Sequence, residues 1–485
     1  MNIWLKVELL QALVFISATL VGALAFRLPW VHAMLAALFT LPAPLLQVTS
    51  GAAGFVYGPD LVGGVLAVPM ILRTMIQPWL GRKFLFLCWS ALFLLLVWPF
   101  ATTMFNVLGD DSKEIKVIAL GIFRGTCYLT VFLSAIDYGS RHDKSPELLA
   151  VSCLSFFGVC LLGLAQQSLG IDLDLWNRVR DIDLTAFTDG YGGGFMGLYR
   201  GAVGAWSAGV LSILPIVYLN RKFGWLITGV MASVILGATA LTGSRQGIIY
   251  GLGGFLFGLF VSIFLVKSGR RTTFWNSISK IAAVMLLIGG TVAATLQNSE
   301  LQEWLLFRFQ SSLGEDSFLR AAINREAKAE AIFQHLWDEP VTLLLGTGLG
   351  AMQEDVTGPG QQFSLVYVDS ELLWTLQQGG LVQLLTYLGF IAMLFRRIYR
   401  FYSVSDPRPQ IAQAAALAAL MVGTTLSYGH FFLLHVHSTQ APIAFWNWAI
   451  LGLGLSALSS RSLIEDDPVA EAEGEVVELA TLPTS

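Results

Sequence analysis

The sequence predicts an all-α polytopic membrane protein with one large outer loop that contains an amphipathic helix. Three observations carry this prediction. Of the 485 residues, 55% are hydrophobic and only 13% are charged, whereas a soluble domain of this size contains about 25% charged residues. The mean hydropathy is +0.66. Apolar stretches of about 20 residues, long enough to cross the hydrocarbon core of a bilayer, recur along the chain.

Thirteen apolar stretches are candidate membrane spans, and we predict 12 or 13 transmembrane helices. They cover residues 8–26, 31–49, 61–78, 84–104, 116–137, 148–168, 200–219, 223–242, 246–266, 274–296, 372–395, 411–429 and 440–458. The third stretch is short and contains Arg73, which is also typical of a re-entrant or interfacial segment. The first stretch follows no clear basic segment and lacks a small-residue cleavage site, so we interpret it as a retained span.

Basic residues in alternate loops predict the orientation of the spans. They occur at residues 82–83, 141–144, 221–222, 267–271, 396–408 and 461. By the positive-inside rule these loops are cytoplasmic, and residues 105–115, 169–199, 297–371 and 430–439 face outward. The tail after Ser459 holds seven carboxylates and one arginine. Such a tail is predicted to be disordered and, by its position, cytoplasmic.

The chain is therefore predicted to contain four regions. Residues 1–296 form ten transmembrane helices with short loops, and residues 297–371 form the outer, periplasmic loop that carries the chemistry. Residues 372–458 form the C-terminal transmembrane helices, and residues 459–485 form the acidic tail. The four cysteines all fall within apolar runs, where cysteine is expected as a small buried side chain without a disulfide or a metal.

The outer loop contains the strongest local patterns. Residues 317–337 are predicted to form an amphipathic helix, because apolar residues recur on one face. The helix should end near Asp338-Glu339-Pro340, since proline cannot continue it. The alternate glycines of Gly346-Thr347-Gly348-Leu349-Gly350 permit a tight turn and close approach to a ligand, although the turn lacks the lysine and hydroxyl residue of a phosphate-binding P-loop. Gly358-Pro359-Gly360 predicts a second turn.

Four short motifs occur in a fixed order around this loop. They are Gly197-Leu198-Tyr199-Arg200-Gly201 at the start of a span, Leu241-Thr242-Gly243-Ser244-Arg245 at an outer helix boundary, Arg325 followed by Pro340 and the glycine turn, and Asp369-Ser370-Glu371-Leu372-Leu373-Trp374 before Gln378-Gly379-Gly380-Leu381. With these motifs the chain resembles the O-antigen polymerase and O-antigen ligase superfamily of bacterial envelope glycan enzymes. The resemblance covers roughly residues 185–395.

The resemblance implies an inverting, metal-independent glycosyltransferase of the bacterial inner membrane, with its active face toward the periplasm and no cofactor. Its substrate would be an undecaprenyl-diphosphate-linked oligosaccharide, and its partners would include membrane lipid, a chain-length regulator and a flippase, but no nucleic acid. Ligases of the superfamily carry His-Asn or His-Ser where this chain has Asp369-Ser370. This departure favours an O-antigen or exopolysaccharide polymerase, which transfers the glycan to a lipid-linked acceptor.

Two alternatives stay open at this stage. An O-antigen ligase or a protein O-oligosaccharyltransferase would use the same donor with another acceptor. A transporter for lipid-linked oligosaccharides would form no bond at all. Transporters tend to have paired broken helices near the bilayer midplane, whereas the polar residues of this chain gather at the outer helix boundaries. That distribution favours chemistry at the membrane surface.

Arginines are the predicted ligands of the donor diphosphate, because the guanidinium fork matches phosphate oxygens. Arg245, beside a glycine and a serine at a membrane boundary, and Arg325 on the loop helix are the first candidates. Arg200 and Arg320 are the next. The alternative for Arg245 is a snorkelling interface side chain, for Arg200 a flanking anchor, and for the two loop arginines a solvated helix face.

Arg124 lies inside an apolar run. A charge there costs about 2.5–3.5 kcal/mol on insertion scales, so it needs a partner or a polar cavity. It either contacts the lipid diphosphate or forms a structural ion pair, and the sequence does not distinguish these roles.

Asp369 is the candidate general base for the acceptor hydroxyl, and its alternative role is N-capping of the following helix. Glu371 would then support the first turn through the helix dipole. Tyr367 is predicted to stack on sugar, or else to belong to the aromatic belt of the membrane interface. Three histidines close to one outer boundary, His430, His435 and His437, are reserve candidates for the base; His-x-His alone is weak support for a metal site.

Overall fold

Helices make up nearly all of the secondary structure, and two short two-stranded sheets accompany them. The computed structural model describes residues 44–47, 55–57, 60, 63–64, 67, 82–107, 115–141, 145–169, 200–219, 221–241, 245–265, 274–297, 302–303, 330, 332–334, 336–349, 355–358, 361–364, 370–402, 407–426, 432–434 and 441–456. The predicted helical class is confirmed for this part of the chain.

The helices follow the predicted spans closely. They are α1 (Arg82–Leu92), a π-helical turn (Phe93–Val97), α2 (Trp98–Val107), α3 (Ile115–Arg141), α4 (Ser145–Leu169), α5 (Arg200–Tyr218), α6 (Gly224–Leu241), α7 (Arg245–Phe260) with a π-helical turn (Val261–Leu265), α8 (Phe274–Leu296), α9 (Pro340–Leu345), α10 (Glu371–Tyr402), α11 (Pro407–Leu426) and α12 (Ala441–Ser456). Each of the ten spans predicted between residues 84 and 458 therefore contains a helix.

Three helical stretches are long and apolar enough to cross a bilayer, namely Phe86–Phe105, Ile118–Gly139 and Glu371–Tyr399. Seven further apolar helices are shorter in their described parts. These lengths are compatible with a membrane protein. Several large apolar side chains on the helix surfaces, including Phe105, Ile249 and Leu286, are exposed, which is the arrangement expected where lipid rather than water surrounds the helices.

The prediction of helix is wrong at the end of the second candidate span. Residues Pro44–Gln47 form strand β1, which pairs antiparallel with β2 (Phe55–Tyr57). Pro44 has no N–H to donate, so it disfavours the interior of a helix and is tolerated at the first position of a strand. The rest of the first three candidate spans lies outside the described residues, apart from the three positions 63, 64 and 67.

The predicted outer loop, residues 297–371, contains elements that the sequence patterns miss. Helical residues 330–338, of which 331 and 335 are not described, end where Pro340 was expected to stop the helix. However, Pro340 also starts α9, a position that suits proline because the first helical N–H has no partner. Further on, β3 (Asp355–Gly358) and β4 (Gln361–Ser364) pair antiparallel on either side of the predicted glycine-proline turn.

Helices α5 and α7 run parallel and in close contact. Gly254 and Gly258, one turn apart, face the backbone of α5, and a Cβ atom at Gly254 would lie 2.8 Å from the carbonyl oxygen of Ala208. The hydroxyl of Ser262 donates to the carbonyl of Pro215 over 3.1 Å. Small residues at this spacing let two helix backbones approach. The same register places the first residues of both helices at one level.

Two other pairs fix relative directions in the bundle. Helices α3 and α12 are parallel, because the rings of Tyr128 and Phe445 lie 4.5 Å apart and those of Phe132 and Trp448 lie 5.0 Å apart. Helices α2 and α10 are antiparallel, as the contacts described below establish. The interior between these helices is filled by large buried aromatic side chains, including Trp206, Trp446 and Trp448.

Candidate functional site

Helix α10 is broken in its first half. Gly380 has φ 64° and ψ −167°, which no helical residue adopts. The hydroxyl of Tyr387 nevertheless donates to the carboxylate of Glu371, sixteen residues earlier, over 2.8 Å. A straight helix would separate these residues by about 24 Å. The break therefore bends α10 sharply into two arms, residues 371–379 and 381–402, of which the second is still about 33 Å long.

The break leaves backbone carbonyls of α10 without their helical donors, and the glycine turn donates hydrogen bonds to these carbonyls instead. The carbonyl of Gln377 accepts hydrogen bonds from the N–H of Thr347 at 2.8 Å and from the hydroxyl of the same threonine at 3.0 Å. The carbonyl of Gln378 receives the N–H of Gly348 at 2.9 Å. An unpaired carbonyl is costly within a membrane, so a broken helix persists only where other groups bind the carbonyls it frees.

The glycines of the turn are required by this docking. Gly346 and Gly348 have φ 83° and 78°, a left-handed conformation that side chains disfavour. A Cβ atom at Gly348 would lie 2.8 Å from the Cα atom of Thr103. The N–H of Leu349 donates to the hydroxyl of Thr103 over 2.9 Å. The turn is thus wedged between α2 and the break in α10.

Helix α2 completes the junction from the other side. The indole N–H of Trp98 donates to the carbonyl of Gly379 over 2.7 Å, and the amide of Gln383 donates to the carbonyl of Leu94 over 3.1 Å. Residue numbers rise along one helix as they fall along the other, so the helices are antiparallel. Pro99 follows directly and its ring excludes an ordinary helical bond, which accounts for the π-helical turn before it.

Glu371 forms a second buried polar centre at the start of α10. Its side chain is fully buried. One carboxylate oxygen accepts the N–H groups of Leu433, at 2.6 Å, and Leu434. The other accepts the N–H of Phe432 at 2.9 Å and the hydroxyl of Tyr387. Three successive N–H groups directed at one anion form a nest. Both oxygens thus carry their full complement of hydrogen bonds.

Helix α12 holds the same segment from its carbonyl side. The amide of Asn447 donates to the carbonyl of Phe432 over 2.9 Å, and the indole of Trp448 donates to the carbonyl of Leu433 over 2.8 Å. The segment 432–434 is therefore fixed between the start of α10 and the middle of α12. The sequence predicts support of the first turn by Glu371 through the helix dipole, but it does not predict these hydrogen bonds to a distant segment.

Ser370 occupies the N-cap of α10. Its hydroxyl accepts the N–H of Leu373 over 3.5 Å, and its carbonyl accepts the N–H of Trp374 over 2.9 Å. The capping role considered for Asp369 thus belongs to the next residue. Asp369 itself lies outside the described residues, and its predicted role as a base stays a prediction.

Arg124 of α3 forms a buried ion pair with Asp60, which lies far earlier in the chain. Its Nε atom lies 3.2 Å from one oxygen of Asp60 and 3.3 Å from the other, and both side chains are 0% exposed. Tyr128, one turn along α3, lies within electrostatic range of this pair and of Glu371, so the two buried centres share one interior region. The structural ion pair is the role that this geometry supports; contact of Arg124 with a diphosphate stays a prediction.

Arg200 and Arg245 are the first residues of α5 and α7. Because these helices are parallel and in register, the two backbone positions lie at one end of the bundle and at one level. A Cβ atom at Gly209, in the middle of α5, would lie 2.7 Å from the ring of Trp446 in the first half of α12. Further along, both helices meet the same part of α11: Ile216 packs with Ala414 and Ala418, and Gly454 faces Ala416. Helices α5 and α12 are therefore parallel. The same end therefore includes the starts of α5, α7 and α12, whereas Glu371, at the start of α10, lies level with the middle of α12.

The remaining predicted residues lie outside the part of the chain that the structure describes. They are Arg320, Arg325, Tyr367 and the three histidines His430, His435 and His437. Glu371 joins the start of α10, which follows Tyr367 in the chain, to the segment 432–434, which lies between His430 and His435. Among the described residues, no group of three or more histidine, cysteine or acidic side chains is placed to hold a metal. Cys127, Cys153 and Cys160 are buried as predicted, and Cys88 is half-buried.

Comparison of the chain with protein-family models and with curated proteins gives no match. The resemblance to the O-antigen polymerase and ligase superfamily therefore rests on the order of the four motifs alone.

Proposed function

We propose that this protein is a polytopic membrane glycosyltransferase that polymerises an envelope polysaccharide. It would transfer a glycan from a polyprenyl-diphosphate carrier to a lipid-linked acceptor at the outer face of the bacterial inner membrane. The observation that supports this proposal best is the gathering of three helix starts, those of α5, α7 and α12, at one end of the bundle. Arg200 and Arg245, the first residues of two of them, are candidate diphosphate ligands. Asp369 directly precedes the N-cap of α10, whose first residue binds the segment 432–434 beside α12.

The packing of the helices is in accord with the proposed topology. Alternating spans make α3 parallel to α12, α5 parallel to α7, and α2 antiparallel to α10, and the described contacts have these directions. At the opposite end of the bundle, the guanidinium of Arg221 donates to the carbonyl of Pro146 over 3.5 Å. Both residues belong to loops, or the edges of loops, that the positive-inside rule assigns to the cytoplasm.

The proposed chemistry needs positive charge and a base at the outer end. The acceptor hydroxyl oxygen attacks the anomeric carbon of the donor, the bond from that carbon to the diphosphate oxygen breaks, and the hydroxyl proton passes to the base. The departing diphosphate gains negative charge. Guanidinium groups and the positive ends of helix dipoles stabilise that charge. A positioned base, here Asp369, typically contributes about 10²–10⁴-fold.

The test uses purified protein in lipid nanodiscs with an undecaprenyl-diphosphate oligosaccharide, and products are resolved on a gel. Wild type should give a ladder of longer lipid-linked glycans. Arg245→Ala, Arg325→Ala and Asp369→Asn should lose the ladder while remaining folded. Lys222→Ala, which removes an exposed cation at the opposite end, is the matched control and should retain it. Full activity of Asp369→Asn would transfer the base assignment to His430, His435 or His437.

One observation favours a second candidate function, the transport of lipid-linked oligosaccharides. A helix broken within the bundle and bound by an inserted turn is typical of secondary transporters, where it surrounds a substrate site. The break at Gly380 is of this kind. Movement of the donor across proteoliposomes, without any glycan product from several matched donors, would replace the polymerase by a transporter.

A further inference from the structure

The segment that leads into the glycine turn carries exposed apolar side chains in a regular pattern. Phe333, Trp337, Val341 and Leu344 are 50%, 77%, 70% and 51% exposed. We call these four residues the apolar stripe. In a segment surrounded by water, so large a contiguous apolar surface would be a liability. We propose that the apolar stripe is embedded in the outer leaflet of the bilayer and binds the acyl chains of its phospholipids.

The helical residues 330–338 have three sectors around the helix axis. Ile332 and Leu336 are buried in the core of the bundle. At 100° per residue, Phe333 and Trp337 form the next sector and are exposed. The third sector, beyond them, is polar: it contains Glu330, Gln334 and Asp338, all exposed. Separate sectors for protein, lipid and water are the arrangement expected of a helix that lies in the membrane interface.

The depth of the adjoining turn supports the same location. The turn binds Thr103, which lies four residues or about 6 Å from the end of α2. Interfacial helices bury their apolar face by about 5–10 Å. The turn therefore lies within the depth range of such a face, below the end of α2.

Helix α9 leads directly into the turn. Its residue Leu344 lies beside the break in α10, where its carbonyl contacts the position that a Cβ atom of Gly380 would occupy. Val341, one turn earlier in α9, is exposed as well. Helix α2, which binds the turn through Thr103, exposes Phe100, Met104 and Phe105 close by. The apolar stripe is thus continuous with apolar surface on a predicted membrane span, which identifies lipid as its occupant.

The test places a fluorescent label on single introduced cysteines and measures quenching in nanodiscs. Trp337→Cys and Val341→Cys report the apolar stripe. Asp338→Cys, adjacent to Trp337 but in the polar sector, is the matched control. Leu286→Cys, exposed in the middle of α8, is the reference for lipid contact. The native protein, without an introduced cysteine, is treated with the same fluorescent label in parallel. This control measures labelling of the native cysteines, of which Cys88 is half-buried and the other three are buried.

We expect lipids with a nitroxide near the headgroup to quench the labels at 337 and 341 several-fold more than the label at 338. Aqueous iodide should quench only the label at 338. A nitroxide deep in the acyl chain should quench the label at 286 most. Equal iodide quenching at 337, 338 and 341 would overturn the inference while the proposed function stands. Iodide quenching at 286 as well would remove the membrane topology on which the proposed function depends.

Discussion

The buried carboxylate of Glu371 allows the most direct test of the site geometry. In Glu371→Gln, one side-chain oxygen still accepts the N–H groups of Leu433 and Leu434. The other oxygen becomes an NH2 group, which meets the N–H of Phe432 and the hydroxyl of Tyr387 as a donor. The hydroxyl can rotate and accept, but the N–H of Phe432 cannot, so one buried donor is left unpaired.

The free energy of this change follows from the hydrogen bonds that are altered. An unpaired buried donor costs about 1–3 kcal/mol, and each bond to an ionised group is stronger than one to a neutral group by about 1 kcal/mol. With two such bonds weakened, we expect Glu371→Gln to lower the free energy of opening the segment 432–434 by about 3–5 kcal/mol. Since every 1.4 kcal/mol is a factor of ten, the amides should exchange faster by about two to three and a half orders of magnitude.

Hydrogen exchange followed by mass spectrometry measures this opening directly. Tyr387→Phe removes one of four donors and should have a smaller effect in the same segment. Glu147→Gln changes an exposed glutamate in the first turn of α4 and should leave the exchange at 432–434 unchanged. The reasoning is refuted if Glu371→Gln exchanges at the wild-type rate there, because the nest would then not depend on the carboxylate.

Two further predictions concern the interior of the bundle. Gly380→Ala should lower the melting temperature, because a side chain at φ 64° and ψ −167°, a conformation nearly confined to glycine, costs about 1–3 kcal/mol and the added Cβ would also meet the backbone of Leu344. Gly389→Ala, with open space around its Cβ position, should be tolerated, and equal melting of the two variants would contradict the break. Asp60→Ala should cost about 3–5 kcal/mol by leaving Arg124 buried without its carboxylate. Exchanging both Asp60 and Arg124 for apolar residues of similar volume should restore much of that stability. The melting temperature of every variant is measured by heating the protein with a dye that reacts with buried cysteines once they become exposed.

The helices could be predicted from the sequence because their signal is local. A run such as residues 116–137 is apolar over the whole length of a span, and α3 follows it within a few residues. The strand at Pro44–Gln47 was missed because a short apolar run is equally consistent with a helix. The start of α9 was missed because Pro340 ends one helix and begins another, and only the end was considered.

The site was predictable in its parts but not in its contacts. The glycine turn and the Gln378-Gly379-Gly380 run were both recognised, yet nothing in either motif indicates that one binds the other. Trp98 lies 281 residues from Gly379, and no periodicity connects positions so far apart. The two adjacent glycines inside a span were a signal of the break, and the proline after Trp98 was a signal of the neighbouring π-helical turn.

The break in α10 has a consequence for the biogenesis of the protein. An unbroken span satisfies its own backbone as soon as it enters the bilayer, so it can insert alone and associate later. Helix α10 cannot, because the carbonyls of Gln377, Gln378 and Gly379 are completed only by groups that were synthesised earlier, in α2 and in the glycine turn. Insertion of this helix and assembly of the bundle are therefore a single event. A chain truncated before α10 would retain its earlier spans but lose the carbonyls of α10 to which Trp98 and Thr347 donate.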